Sequence, residues 1–327
     1  MRIVSGVCVA IFFVIMSLSA AAANEYSAGG TTSVIGAVNT YTVTNSNESL
    51  IELARKFDLG YNEITNANAD LDPFVPGEAK SVLIPSSWVL PDVEARSGIV
   101  INLSELRLYY FFKLGSDARV LTFPIGIGSE GTDTPVGTFR VMEKILHPAW
   151  HVPESIRKEK PDLPLVVPPG PDNPLGSHAL RLSLPSILIH GTNRPFAIGR
   201  KASHGCIRLY PEDIPKLFSM VPKEVPVRIV RQPVKVGWGD GKVYIEVHGD
   251  SGMESEDFLT NALSLLAKKH LLGKVSSIKL LKAINDKSGL PVDISQDAAP
   301  EGTPAGNSHQ KQPLREDLQD KNLFLLL

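Results

Sequence analysis

Cysteine is almost missing from this chain: 327 residues carry two, Cys8 and Cys206. That excludes a disulfide-stapled scaffold and a multi-cysteine zinc site. An excess of one charge is missing too, with 33 Lys and Arg against 35 Asp and Glu. The balance removes the electrostatic case for nucleic acid or an anionic membrane surface as partner. Aromatic residues are sparse, and 25 prolines with 26 glycines favour turns and extended segments over a helical bundle. The length and the 43% hydrophobic content still allow about two domains with a sizeable core.

The apolar run from Ile3 to Leu18 follows Arg2 and precedes the small residues Ser19 to Ala23. This order reads as an export leader over residues 1–23, cleaved after Ala23, with a retained membrane anchor as the competing reading. Cys8 leaves with the leader, so the exported chain keeps Cys206 as its only thiol. It cannot form an internal disulfide, and an unpaired cysteine in an oxidising compartment points to catalysis. The competing reading is a small buried hydrophobe. The flanks favour catalysis, because Ser203, His204 and Gly205 precede the thiol and Arg208 follows it. An ordinary thiol with pKa about 8.5 is little ionised near neutrality, so a nucleophilic cysteine needs a base. His190, in His190-Gly191-Thr192, supplies an imidazole, and the glycines leave backbone N–H groups free to meet an oxyanion.

Residues 24–39, rich in Gly, Ser, Thr and Asn, read as a flexible lead. From Thr40 a short strand, a helix behind Glu48-Ser49, a second helix over Tyr61 to Asn68 and a strand at Val82 to Pro85 follow in order. Trp88 to Arg96 reads as a linker. Apolar strand runs then begin near Ile99, Leu106, Arg119, Gly137, Ile187 and Val225, the first two separated by a polar turn at Ser104-Glu105. Gly126 to Gly131 fits a dinucleotide-binding pattern by spacing alone, but a strand follows it where that site needs a helix. His147 and His151 have metal-ligand spacing broken by Pro148, so no metal site is expected. The Pro- and Gly-rich stretch over 161–186 is a candidate substrate lid. Residues 232–250 read as a strand pair and 251–290 as two helices. Residues 291–327 read as a disordered tail, and its final Leu323 to Leu327 is too short to span a membrane.

His190-Gly191-Thr192, Ser203-His204-Gly205-Cys206-Ile207-Arg208-Leu209, Gly126-x-Gly128 and Thr134-Pro135-x-Gly137 together resemble the YkuD-type L,D-transpeptidase catalytic domain, here over 97–231. The Pro-Gly-Pro-Asp-Asn-Pro loop and Tyr244 to His248 resemble its Gram-negative periplasmic subgroup. The resemblance implies a mainly β fold, a mixed β-sandwich. It implies Cys206 as nucleophile, His190 as base and the Gly191 carbonyl as the group that orients the ring. Ser203, His204 and Gly205 would surround the oxyanion, and Arg208 would meet a substrate carboxylate. No cofactor is implied. The implied substrates are peptidoglycan tetrapeptide stems, with diaminopimelate or the lysine of an outer-membrane lipoprotein as acceptor and carbapenems as inhibitors. A carboxypeptidase or other cysteine hydrolase of the same fold, and a non-catalytic peptidoglycan-binding protein, remain as alternatives. Residues 40–86, with Tyr41-x-Val43, Asn66-Ala67-Asn68 and Pro76-Gly77, resemble a LysM module of βααβ order. That likeness implies glycan binding and assigns contacts to Asn66 and Asn68.

Overall fold

The structure is a computed structural model that describes residues 25–128, 133–203, 205–250 and 253–297. Its centre is a curled nine-stranded mixed sheet. In spatial order the strands are Glu25–Ser27, Asp117–Pro124, Arg107–Leu114, Gly98–Asn102, Pro226–Val230, Gly137–Leu146, His178–Leu182, Leu188–His190 and Ile207–Arg208. Two pairings are parallel, Pro226–Val230 on Gly98–Asn102 and Ile207–Arg208 on Leu188–His190.

The central strands are apolar on both faces, and the two faces feed different cores. Ile99, Ile101, Leu108 and Tyr110 join the core under helix α4 (Ile214–Met220), beside Leu180, Ile189 and Ile207. Their alternates Val100, Tyr109 and Phe111 join Leu50, Leu53, Leu59, Ile64 and Trp88 on the opposite side. Period-two alternation places successive side chains on opposite faces, so each strand seals two cores.

The second face is covered by strand Asn39–Thr42, helices α1 (Leu50–Lys56) and α2 (Tyr61–Ala67), and strand Ser81–Ile84, with the two strands antiparallel. Ser49 caps α1 in a capping box with Glu52, and Glu63 closes the start of α2 onto the Gly60 N–H. Two expectations are corrected here. The lead is not free chain: Glu25–Ser27 extends the main sheet and Val34–Gly36 pairs with Ser87–Val89. The linker is core in its first half, because Trp88, Val89 and Leu90 are buried. Composition misled in both places because pairing partners lie far away in sequence. Across the shared interface the Arg107 guanidinium bonds both Glu63 oxygens at 2.8 Å and stacks 4.0 Å from the Trp88 ring centroid.

Residues 234–294 form a third layer, strands Val234–Gly239, Lys242–Val247 and Val292–Asp293 against helices α5 (Ser255–Lys268) and α6 (Ser277–Asp286). Asp240 and Gly241, both at positive φ, make the two-residue hairpin turn between the first two strands. At the junction of the layers lies a buried ion cluster. Lys235 Nζ donates to Glu105 Oε2 at 2.6 Å and to the Val89 carbonyl at 2.7 Å, and lies 2.8 Å from Glu246 Oε1. His248 Nε2 sits 2.6 Å from the same Glu246 oxygen. Glu105 also accepts from Tyr109 and Asn102, so the acidic residue of the polar turn is buried rather than facing solvent. Glu105, Glu246 and His248 are close enough to ligate a metal ion, but the ammonium already occupies the space between the carboxylates.

Removing that ammonium would strand two buried carboxylates. Lys235→Met should therefore cost about 3–5 kcal/mol of stability, read as a drop in denaturant midpoint. Cutting the exposed Lys158–Glu154 pair should cost no more than about 0.5 kcal/mol.

A carboxyl pair joins the second face to α4. Burial, then the charge and hydrogen bonding of Asp58, holds the Asp213 carboxyl well above the usual carboxylate range, with Lys216 opposing. Above that range the unfolded chain releases a proton that the folded chain keeps, so stability falls as pH rises. Asp213→Asn removes this slope. Its gain in melting temperature over the parent should widen from pH 5 to pH 8.

Candidate active site

The parallel pairing of Leu188–His190 with Ile207–Arg208 builds the site. Ile189 faces Ile207 and His190 faces Arg208, with the Leu209 N–H donating to the His190 carbonyl at 2.9 Å. Ile189 and Ile207 turn into the core, so by alternation Cys206, Arg208 and His190 share the opposite face. His190 is buried and Cys206 is half-buried. The thiol is therefore not sealed in the interior.

His190 Nδ1 lies 2.6 Å from the Gly191 carbonyl. A carbonyl can only accept, so Nδ1 carries the proton and Nε2 keeps its lone pair. Burial, reinforced by the Arg208 charge, pushes the imidazole down to about 3 against the backbone bonding of Gly191 and Leu175. Burial raises the Cys206 thiol, opposed by a backbone hydrogen bond at Leu188 and by Arg208. Sγ reaches the Ser186 carbonyl at 3.6 Å. At neutral pH the Cys206 thiol and the His190 imidazole are thus both uncharged at rest.

Gly205 adopts φ +94°, which favours glycine at the turn before the nucleophile. Its carbonyl accepts from Thr134 Oγ1 at 2.9 Å, and the same hydroxyl accepts from the Gly128 N–H at 3.2 Å. Gly126 and Arg208 exchange both backbone hydrogen bonds, at 2.9 and 2.8 Å. The two glycines and Thr134 therefore hold both ends of the nucleophile turn. Sequence reading placed Thr134 in an upstream element without giving its side chain a task. His204 and the Ser203 side chain lie outside the described residues; the Ser203 backbone pairs with Gly128.

Beside Arg208 opens a cavity of about 380 Å³, walled by Trp150, Ile156, Leu163 and Val167 and carrying Lys160, Arg194 and Asp172 at its polar edge. The Pro-rich stretch supplies much of this wall. It is pinned by Asn173, whose amide donates to the carbonyls of Pro148, Val167 and Pro168 while its oxygen accepts from the Leu175 N–H. The LysM-type residues lie elsewhere. Asn68 is buried and spends its amide on the Ile64 and Leu83 backbone, which corrects its assignment as a glycan contact. Asn66 is exposed and borders a small polar cavity with Glu105 and His248.

A thiol just ahead of one strand and an oriented imidazole on its neighbour, with a cationic cavity beside Arg208, fit an enzyme that works through a cysteine-bound acyl group. Residues 96–229 match the model of the YkuD L,D-transpeptidase catalytic domain. Probable L,D-transpeptidase YcfS of Escherichia coli K12 is 36% identical over 274 residues, 80% of this chain and 85% of that protein. Probable L,D-transpeptidase YbiS of the same organism is 36% identical over 276 residues, 80% and 89%. The solved catalytic domain of an Enterococcus faecium L,D-transpeptidase aligns at 24% identity and TM-score 0.32, over 42% of this chain and 99% of that one. The chain belongs to the YkuD family of L,D-transpeptidases.

Alkylation of Cys206 by iodoacetamide should follow the raised thiol. Its rate should climb through an inflection above the ordinary cysteine value of about 8.5, with no plateau near neutrality. A plateau at pH 6–7 would mean a preformed thiolate–imidazolium pair.

Proposed function

We propose that this chain is a peptidoglycan L,D-transpeptidase working through a thioester on Cys206. The observation that carries the reading is the pairing of His190 with Arg208 in two parallel strands, the second entered directly from Cys206, with the imidazole tautomer fixed by Gly191. Cys206 gives its proton to His190 Nε2 as sulfur bonds to the amide carbon between diaminopimelate and the terminal D-alanine. That C–N bond breaks, and D-alanine leaves with the proton returned by the imidazolium. An acceptor amine then attacks the thioester, loses its proton to His190 and releases the thiol. The amide is exchanged rather than made anew, so no nucleotide is consumed. N–H groups around Gly205 and Cys206, with His204 and Ser203, would polarise the carbonyl, and Arg208 would meet a stem carboxylate.

The acceptor is diaminopimelate of a second stem or the lysine of an outer-membrane lipoprotein; water in its place gives the carboxypeptidase. Carbapenems would acylate the same sulfur. The location is the periplasm, reached through a leader at residues 1–23, and among the described residues no helix is long and apolar enough to cross a membrane. The segment 40–86 would act as a LysM module and contact glycan.

Incubating the protein with disaccharide-tetrapeptide should give cross-linked dimer with loss of D-alanine, and a disaccharide-tripeptide acyl adduct on Cys206. Cys206→Ala should abolish both, and His190→Ala should lower turnover by about 10²–10⁴-fold. Tripeptide as sole product would move the assignment to the hydrolase. Unaltered substrate with retained binding would move it to the binding protein.

A further inference from the structure

Helix α2 does more than cover the sheet. Its first N–H groups reach the segment between the two halves of the active site, Tyr61 N donating to the Ile198 carbonyl at 3.1 Å and Asn62 N to the Gly199 carbonyl at 3.3 Å. The Tyr61 ring carries the Arg200 guanidinium 3.5 Å from its centroid. Clearance at this contact is nil. Gly199 sits at φ +80°, and a Cβ there would lie 2.1 Å from Tyr61 N and 2.5 Å from two Gly60 backbone atoms.

The gripped segment leads directly into the nucleophile turn. Gly199 N donates to the Ile125 carbonyl at 3.0 Å, and the Arg200 carbonyl accepts from Ile127 N at 3.2 Å. Lys201–Ser203 then runs parallel to Ile127–Gly128. Gly126 pairs with Arg208, and Gly128 reaches Gly205 through Thr134. The stretch 125–128 thus holds the nucleophile turn from one side while α2 fixes residues 198–200 against that same stretch. We propose that Tyr61 is a positioning residue for Cys206, and that the N-terminal layer is a working part of the catalytic centre rather than a tethered binding module.

This layer has other anchors besides its contacts with residues 198–200. Arg55 bonds both Glu212 oxygens at 2.8 and 3.0 Å, the Tyr210 hydroxyl donates to the Leu59 carbonyl at 3.0 Å, and Arg107 holds Glu63. Loss of the Tyr61 ring therefore leaves the layer docked and loosens only the segment it grips. Backbone misplacement far from the chemistry lowers the chemical step more than ground-state binding.

The inference rests on Cys206 being the nucleophile of the proposed reaction, so the test reads both turnover and the thiol itself. In the full exported chain, Tyr61→Ala should lower kcat on disaccharide-tetrapeptide by about tenfold or more, with KM within about twofold. The pH profile of Cys206 alkylation should move with it. Tyr61→Phe should restore both, and Arg55→Ala, which cuts an anchor that does not touch residues 198–200 through a hydrogen bond, should leave both as in the parent. Arg200→Gln, which keeps the ring and removes its cation, should repeat the Tyr61→Ala loss and serves if that variant does not fold. Parental kcat and alkylation in the Tyr61→Ala or Arg200→Gln variant overturn the proposal, as does an equal loss in Arg55→Ala or a failure of Tyr61→Phe to restore. Alkylation needs no substrate. A parent that turns over no tetrapeptide but whose thiol still responds to Tyr61 would refute the transpeptidase reading and keep the positioning role.

Discussion

The two-residue parallel bridge between Ile189-His190 and Ile207-Arg208 is the constraint on which the rest of the site depends. So short a ladder has little stability of its own. It persists because Ile189 and Ile207 are fully buried in the same core on the far face. Their burial fixes the register, and a one-residue slip would turn the thiol and the imidazole into the core while exposing two isoleucines. The chemistry is thus held in place by apolar groups that never meet substrate. The glycine exchange at Gly126 and the Thr134 hydroxyl add direction to the turn, but the isoleucines choose its face.

The parts of this arrangement that are local in sequence were legible there. Glu48-Ser49 announces α1, Gly239-Asp240-Gly241 announces a hairpin, and the strand run from Ile187 ends at His190 as its pattern suggests. The features that were not legible join residues far apart. Nothing near Glu105 signals that Lys235 arrives from 130 residues away to neutralise it. Nothing in the Gly- and Ser-rich lead signals that Asp117–Pro124 offers Glu25–Ser27 an open edge. Asn68 illustrates the opposite error. Its position in a recognisable motif suggested a ligand contact, whereas the asparagine amide serves both strand and helix of its own layer.

The same logic explains why the N-terminal layer is not a bead on a string. Strands Gly98–Asn102 and Arg107–Leu114 carry apolar side chains on both faces, and a lone catalytic domain would leave Val100, Tyr109 and Phe111 in water. The Arg107–Glu63 pair deepens the commitment, since a guanidinium that is fully buried must keep its carboxylate. A segment 40–86 that contacts glycan would therefore transmit its position to the catalytic sheet through a buried apolar interface rather than through a flexible tether.

Charge placement around Cys206 fits the same economy. A preformed thiolate would be the faster nucleophile, but it is also the form that oxidants and stray disulfides attack. Here burial keeps the sulfur protonated and the imidazole neutral, while Arg208 favours the thiolate and disfavours the imidazolium at once. These opposed effects leave the proton on sulfur at rest and a vacant lone pair on His190 Nε2. A substrate carboxylate drawn to Arg208 would offset the charge that disfavours imidazolium. The base would then strengthen when an acyl donor is present. That would make the Cys206 thiol reactive mainly toward a substrate whose anionic group reaches Arg208 in the adjoining cavity.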